Sequence, residues 1–204
     1  MTAQKLPRQA DAAPQEREAA FRNTLIAEMS HVRAFARSLC AGRQEEADDI
    51  AQEALTNAWA SRENYAPTAP LRAWLFTIVR NVYRSRRRQN WRETLLENME
   101  GVGGATSGRE SSAKLELDDA RRALSVLEED QREALVLVAV AGFSVEEAAA
   151  ICETKPGTIK SRISRARVRL EAAYAKGQIG VGVNNAAGAL EALIEEAHAR
   201  AAPR

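Results

Sequence analysis

The feature that most constrains this chain is a pair of short helical patterns joined by a tight turn at residues 143–170. Ser144 is the predicted N-cap of the first helix, and Glu147, three residues later, completes a capping box. Thr154 is the predicted N-cap of the second helix, and Pro156 follows in its first turn, where a missing backbone N–H is tolerated. The stretch therefore predicts a helix, a turn and a second helix.

The second of these helices is apolar on one side and cationic on the others. Apolar residues recur at steps of four, three and four positions, at Ile159, Ile163, Ala166 and Leu170. Residues 155–169 include six basic side chains and no acidic one. Cations and hydroxyls bind DNA phosphates, and side chains near a helix N-terminus reach base edges in the major groove. A charge run alone is more often a solvated face, but its coupling to a capped helix and a turn favours a DNA-binding helix-turn-helix.

The composition predicts an all-α protein. Only 5% of the residues are aromatic, Ala, Leu, Arg and Glu dominate, and no stretch shows sustained strand alternation. The longest uncharged apolar run, at residues 134–143, is about half the length that spans a bilayer. The N-terminus has no apolar core of a signal peptide. A cytoplasmic protein that does not bind membranes is therefore expected.

No pattern indicates an enzyme, a metal site or a cofactor. Cys40 and Cys152 lack metal-ligand spacing, so each is predicted to be a buried small hydrophobe rather than part of a disulfide or a zinc site. His31 lies beside an apolar helix stripe, at the edge of a predicted core, and is remote from His198. GVGG at 101–104 lacks the preceding strand of a dinucleotide-binding loop. No catalytic residue is predicted.

The net charge of +1 conceals a segregation of charge along the chain. Residues 21–92 hold 12 Arg against seven acidic residues, whereas residues 116–153 hold ten acidic residues against three Arg. Such polarity suggests one surface for nucleic acid and another for a protein partner or for keeping DNA away.

A first domain is predicted at residues 21–92, after a polar, disordered tail at 1–20. It contains three amphipathic helices, at residues 21–39, at 45–61 and from 71 onward. The third helix buries one stripe and ends in an arginine cluster; the stripe is Leu71, Trp74, Leu75, Ile78 and Val82. The segment 62–70, with two prolines, is a loop between the second and third helices.

A second, four-helix domain is predicted at residues 115–175. The Gly- and Ser-rich segment 93–114 is a flexible linker before it. Two helices, at 115–127 and 130–141, precede the helix-turn-helix. The extension at 176–204 is Gly-rich at first and then offers a short amphipathic helix.

This arrangement resembles an extracytoplasmic-function sigma factor of bacterial RNA polymerase. DDIAQEALTNAW at 48–59 is similar to the family's core-binding helix, LRAWLFTIVRNVYRSRRR at 71–88 to its −10-reading helix, and residues 127–170 to its sigma-4 domain. Two sequence motifs resemble those of the alphaproteobacterial general-stress branch, the EcfG type: AWLFTIVRN and GFSVEEAAAIC…GTIKSR. In that branch an anti-sigma factor of the NepR type sequesters the sigma factor until a phosphorylated response regulator of the PhyR type displaces it.

The resemblance implies three sets of binding residues. Core RNA polymerase would be bound by the acidic face of the second helix, at Asp48, Asp49, Gln52 and Glu53. The unwound −10 strand of promoter DNA would be bound by Asn64, Tyr65, Arg72, Arg80, Asn81, Arg84, Arg87 and Arg88. The −35 duplex would be read by Lys155, Thr158, Lys160, Ser161, Arg162 and Arg165. Trp74 is expected to be a core residue rather than a stacking platform.

The resemblance also implies a NepR-type anti-sigma factor as a partner and a chain that is monomeric when free. An inhibitor site is predicted beside the apolar flanks of both domains, near Ile50 and Leu55 and near Leu135 and Val138. Two departures from the branch pattern bear on DNA sequence preference. Lys155 follows Glu153 and Thr154 where small or apolar residues are common, and the loop at 65–70 lacks a glycine.

Two other classes of protein share parts of this pattern. A sigma-mimic module would bind an anti-sigma factor without DNA, but such modules are attached to a receiver domain, and no such segment is recognisable here. A helix-turn-helix repressor would leave the acidic face at 48–53 and the arginine cluster at 84–92 unexplained. Binding to duplex DNA with and without core polymerase distinguishes the three classes.

Overall fold

The computed structural model describes residues 14–41, 43–66, 70–97 and 121–179, and these ranges are helical without any strand. Their α-helices include α1 (Pro14–Leu39), α2 (Gln44–Ala60), α3 (Leu71–Glu97), α4 (Glu129–Leu135), α5 (Val145–Ile151) and α6 (Pro156–Ala175). A 3-10 turn at Arg62–Asn64 follows α2, residues 121–125 are helical, and α4 continues as a π-helical turn at Val136–Val140. The predicted all-α class is confirmed. Across the described ranges, no helix is both long and apolar enough to cross a membrane.

Helices α1, α2 and α3 pack against one another as the first predicted domain. Their fully buried side chains come from all three helices and include Val32, Phe35, Ile50, Leu75 and Val79. Burying a large aliphatic or aromatic side chain contributes about 1.5–3 kcal/mol. The three-residue and four-residue spacing in the sequence therefore identified a real core.

Two helices extend beyond their predicted ends. Helix α1 begins at Pro14, inside the segment predicted to be a disordered tail. Proline is favoured in a first turn, where its missing N–H has no partner to lose, and Glu16 in that turn favours the helix dipole. Helix α3 continues to Glu97, so the start of the predicted linker is helical. The rest of the tail and linker, Pro67 to Ala69 of the loop, residues 115–120 and the C-terminal residues from 180 lie outside the described residues.

The helix-turn-helix forms as predicted, with one correction at its second cap. At α5 the Ser144 Oγ accepts from the Glu147 N–H, and the Glu147 carboxylate accepts from the Ser144 N–H, at 3.1 and 2.8 Å. The N-cap of α6 is Lys155, not Thr154. The Thr154 N–H still donates to the Ala149 carbonyl, after Glu153 has taken a left-handed φ of 52°. Lys155 has the extended backbone of an N-cap, with φ −86° and ψ 146°, and its side chain makes no capping hydrogen bond.

The Ser144 cap gives a direct stability prediction. Ser144→Ala is expected to lower the free energy of unfolding by about 1 kcal/mol, because the Glu147 N–H loses its acceptor. Urea unfolding followed by circular dichroism measures this change. Ser38→Ala is a matched control, because the Ser38 Oγ bonds back to the Ala34 carbonyl within α1 and caps nothing. Equal changes in the two variants would contradict the capping account.

The two predicted domains are packed together, which the sequence did not predict. Phe76 of α3 stacks on Phe35 of α1, with ring centroids 4.2 Å apart and an interplanar angle of 5°. The same ring meets Phe143 of the second domain edge-on at 5.4 Å. Arg132 of α4 donates to the Leu39 carbonyl at the end of α1 at 2.7 Å. The buried side chains of both domains consequently form one continuous core.

Candidate nucleic-acid interface

The outer face of α6 carries the residues predicted for the −35 duplex. Its buried stripe is the predicted one, Ile159, Ile163, Ala166 and Leu170. The predicted contact residues Lys155, Lys160, Ser161 and Arg165 are exposed, and Thr158 and Arg162 are half-buried. The Arg165 Nε lies 3.3 Å from the Ser161 carbonyl, one turn earlier on the same helix. The helix is thus held on its apolar side and presents cations and hydroxyls to solvent.

One face of α3 carries three of the arginines predicted for the −10 strand, and two of them contact the second domain closely. The Arg80 Nε lies 2.7 Å from the Glu133 Oε1, and the Arg80 Nη2 donates to the Cys152 carbonyl at 2.8 Å. Arg80 and Glu133 are only 4% and 3% exposed, so this is a buried ion pair between the domains. The Arg84 Nη2 lies 2.9 Å from Asp130 and 3.0 Å from Glu133. Arg80 therefore cannot contact DNA while the domains are packed.

Helix α4 supplies the acidic side of these contacts. Burial opposes the charge of Arg84, but Glu133 and Asp130 more than compensate, and the pKa of Arg84 is raised. Arg87, the third arginine of the face, lies 3.7 Å from Glu129. Three carboxylates of one short helix thus neutralise the arginine face of α3.

Asp130 also reaches the helix-turn-helix. Its Oδ2 lies 2.6 Å from the Arg162 Nη2, while its Oδ1 lies 2.9 Å from the Arg84 Nη2. Arg162 was predicted to contact the −35 duplex and Arg84 the −10 strand. One carboxylate therefore joins a member of each predicted DNA-binding set.

The remaining residues predicted for the −10 strand lie in two settings. Exposed side chains face solvent at Asn64, Asn81 and Arg88. Arg72 pairs with Glu28 at 2.7 and 3.1 Å, and these hydrogen bonds raise the pKa of Arg72. Tyr65 packs against Trp74, with ring centroids 5.4 Å apart, and burial raises the pKa of Tyr65. Trp74 is half-buried against the core, in agreement with its predicted structural role.

The residues predicted to bind core polymerase lie on one side of α2. Three are exposed and the last is half-buried: Asp48, Asp49, Gln52 and Glu53. Glu53 accepts from Arg86 at 2.6 and 2.8 Å, and this hydrogen bonding raises the pKa of Arg86. Asp48 pairs with Arg37 at 3.0 Å. The predicted acidic face is therefore present, and its first and last residues form ion pairs with arginines of α1 and α3.

The cysteines and the histidine have structural surroundings. Burial raises the pKa of both thiols, Cys40 and Cys152, to about 12, so neither is a thiolate near neutral pH. His31 Nδ1 lies 3.2 Å from Glu28 beside a cleft at the domain seam. Within the described ranges no group of three His, Cys, Asp or Glu side chains could hold a metal ion.

The predicted inhibitor flanks are mostly closed in this arrangement. Ile50, Leu135 and Val138 are 0%, 5% and 3% exposed, and only Leu55 is half-buried. They belong to the continuous core rather than to an open surface. Val140, which lines the cleft at the seam, is an apolar side chain that does face solvent, at 70% exposure.

Sequence reasoning missed the partners of the arginines rather than the arginines themselves. The sequence places Asp130 and Glu133 in an acidic segment and Arg132 among its few cations, without indicating what these side chains contact. Arg132 is buried and donates to three carbonyls, those of Leu39, Leu124 and Leu127, and burial lowers its pKa. The segregation of charge was the available signal that the acidic segment faces a basic one.

Two family descriptions match this chain, and together they cover both domains. Residues 25–93 match "Sigma-70 region 2", and residues 117–170 match "Sigma-70, region 4". Two helical units with an acidic face on one and a cationic helix-turn-helix on the other thus define a protein of the sigma-70 class.

Individual relatives narrow the class. The chain is 46% identical over 154 residues to the ECF RNA polymerase sigma factor EcfG of Rhodopseudomonas palustris (strain TIE-1), covering 74% of this chain and 83% of that protein. It is similar to the sigma factor RpoE solved with the anti-sigma factor NepR from Bartonella quintana, with a TM-score of 0.68 and 40% identity over 75% of this chain and 95% of that one. It is also similar to CnrH solved with the cytosolic domain of CnrY, with a TM-score of 0.59 and 27% identity over 79% and 94%.

This chain belongs to the extracytoplasmic-function sigma factors, which are not a family of enzymes. Its similarity to EcfG and to the NepR-bound factor is consistent with the EcfG-type branch that the sequence motifs predict.

Proposed function

We propose that this chain binds core RNA polymerase and directs it to promoters of general stress genes in the cytoplasm. The observation that carries the proposal is the pairing of an exposed cationic face on α6 with an exposed acidic face on α2. The acidic face repels DNA and suits a basic protein surface, whereas the cationic face suits phosphate. A single chain with both can hold a polymerase and a promoter together.

On the −35 duplex, α6 supplies both sequence reading and phosphate binding. Arginine or lysine paired with guanine O6 and N7 contributes about 1–3 kcal/mol of discrimination. Lys160, Arg162 and Arg165 are the proposed donors, and Lys155, Thr158 and Ser161 are proposed to assist them from the cap and the first two turns of the same helix. Arg167 and Arg169 lie further along α6 and are proposed to bind phosphate.

For the unwound −10 strand, we assign the contacts to the loop before α3 and to α3 itself. Splayed bases need flat side chains and a cationic groove. Asn64, Asn81 and Arg88 are exposed for this role. Arg80 is buried in its pair with Glu133, so it needs the domains to separate first. Arg84 and Arg87 are partly exposed and need only exchange a carboxylate of α4 for a phosphate.

We further propose that an anti-sigma factor of the NepR type regulates the chain. Similarity to a sigma factor solved with NepR supports this proposal. The seam between the domains offers a cleft of about 160 Å³ lined by residues of both, including Phe35, Phe76 and Val140. An inhibitor seated there would contact both domains at once and hold them together.

Initiation of transcription tests the proposal. Purified core polymerase, incubated with the chain and a library of candidate promoters, is expected to make transcripts with defined start sites, which core alone does not make. A chain that shifts duplex DNA without core and starts no transcription would be a repressor. A chain that binds NepR and never DNA would be a sigma mimic. Either result contradicts the proposal.

The acidic face of α2 gives a separate prediction. Asp48→Lys is expected to weaken core binding about tenfold, because it places a like charge opposite a basic partner. Glu18→Lys is the matched control, because Glu18 also pairs with an arginine of the first domain and is 50% exposed, against 48% for Asp48. Fluorescence anisotropy of labelled chain titrated with core measures both affinities. A tenfold loss in the control as well would remove Asp48 from the proposed interface.

A further inference from the structure

The closed chain holds its own proposed DNA-binding arginines against an acidic helix. Arg80 and Arg84 of α3 contact Glu133 and Asp130 of α4, and Arg162 of α6 contacts Asp130. Carboxylates and phosphates bind guanidinium groups through the same charge-assisted hydrogen bonds. In the packed arrangement, the carboxylates of α4 therefore bind the guanidinium groups that DNA phosphates would otherwise bind.

We propose that Asp130 and Glu133 form an intramolecular latch that keeps the free chain closed and poorly able to bind DNA. The latch goes beyond the proposed function, and it rests on that function only for the role of the arginines. DNA or polymerase binds the open chain, and every open molecule has lost the contacts between α4 and the arginines.

The two carboxylates act at different depths. The side chain of Asp130 is 51% exposed, so a phosphate can compete with it at the surface before the domains move. The side chain of Glu133 is 3% exposed and lies between the domains, so its arginine is freed only when they separate. The contacts of Asp130 are therefore the first that a phosphate can break.

Asp130 also contacts both helices that carry predicted DNA-binding residues. Its two oxygens bind Arg84 of α3 and Arg162 of α6, which lie in different predicted DNA-binding sets. Loss of this single carboxylate removes one contact from an arginine of each set at once, and Arg84 then keeps only its contact with Glu133 at 3.0 Å among the two acidic residues.

The test compares Asp130→Asn with the wild-type chain at full length and low salt. Glu171→Gln is the matched control, because it removes one carboxylate from an exposed site of the same domain. Anisotropy of a short fluorescent DNA duplex of mixed sequence measures affinity without core polymerase, and small-angle X-ray scattering measures the radius of gyration. Apparent affinity falls in proportion to the open fraction, so Asp130→Asn is expected to bind about threefold to tenfold more tightly and to be larger. Glu171→Gln is expected to stay within about twofold of wild type in affinity, with an unchanged radius.

Three results would overturn the latch: an unchanged radius of gyration in Asp130→Asn, an unchanged duplex affinity in the same variant, or equal gains in Asp130→Asn and Glu171→Gln. Far-UV circular dichroism confirms that each variant is folded. The scattering result does not depend on what the arginines bind, and the transcription assay does not depend on the closed state. Failure of the latch and failure of the proposed function are therefore separate outcomes.

Discussion

Phe76→Ala is expected to lower the free energy of unfolding by about 3–5 kcal/mol, the usual range for truncating a buried phenylalanine. Phe76 is only 2% exposed, stacks on Phe35 at 4.2 Å and meets Phe143 edge-on at 5.4 Å. The truncation removes contacts in the core of the first domain and across the seam together. Chemical unfolding followed by circular dichroism measures the loss.

The seam part of this loss can be isolated. A double-mutant cycle of Phe76→Ala with Phe143→Ala is expected to show a coupling of about 0.5–1.5 kcal/mol, the range for aromatic pairs. Val168→Ala is the matched control in the second domain, because Val168 is 63% exposed and its truncation should change stability by less than about 0.5 kcal/mol. A coupling of zero would mean that the two domains do not pack in the free chain.

Glu133→Gln is expected to destabilise the closed arrangement by about 3–5 kcal/mol, because it leaves the Arg80 guanidinium buried without a countercharge. Arg80 is 4% exposed, and its remaining described acceptor is the Cys152 carbonyl at 2.8 Å. The same change removes one of the two carboxylates that contact Arg84. The expected result is separation of the domains at a lower denaturant concentration than in wild type, followed as an increase in the radius of gyration.

Glu129→Gln is the control on the same helix. Glu129 is 36% exposed and lies 3.7 Å from Arg87, so its neutralisation should change stability by less than about 1 kcal/mol. Replacing both buried partners, as Arg80→Met with Glu133→Leu, should restore much of the stability, because an apolar pair of similar volume avoids the desolvation of two charges. Similar losses for Glu129→Gln and Glu133→Gln would contradict a buried pair.

These two predictions bear on function because the seam and the DNA-binding residues overlap. Arg80 stabilises the packed domains through Glu133 and was also predicted to bind the −10 strand. A residue cannot do both in one conformation. A chain that initiates transcription in the proposed way must therefore open the seam, and the stability of the seam sets how readily it does so.

Helix α3 illustrates where sequence reasoning succeeded and where it stopped. Its stripe at Leu71 and Leu75 was correctly placed, because it follows the helical period and faces α1 and α2. Phe76, Arg80 and Tyr83 lie off that stripe and are also buried, at 2%, 4% and 2% exposure. They repeat at steps of four and three and form a second face, on which Phe76 meets Phe143 and Arg80 meets Glu133 of the other domain. A helix buried on two sides has no clear polar face by which its pattern could reveal the second contact.

The sequence by itself determined the helical class, the capped helix-turn-helix, the buried stripe of α6 and the acidic face of α2. Each depends on residues within one or two turns of one another, where backbone hydrogen bonds and side-chain spacing act locally. Only the tertiary structure decided that the domains pack and which charges meet. Arg84 and Asp130 are 46 residues apart, and an arginine has the same local pattern whether its partner is a phosphate or a carboxylate. The identity of that partner depends on how distant helices are brought together, which no local spacing records.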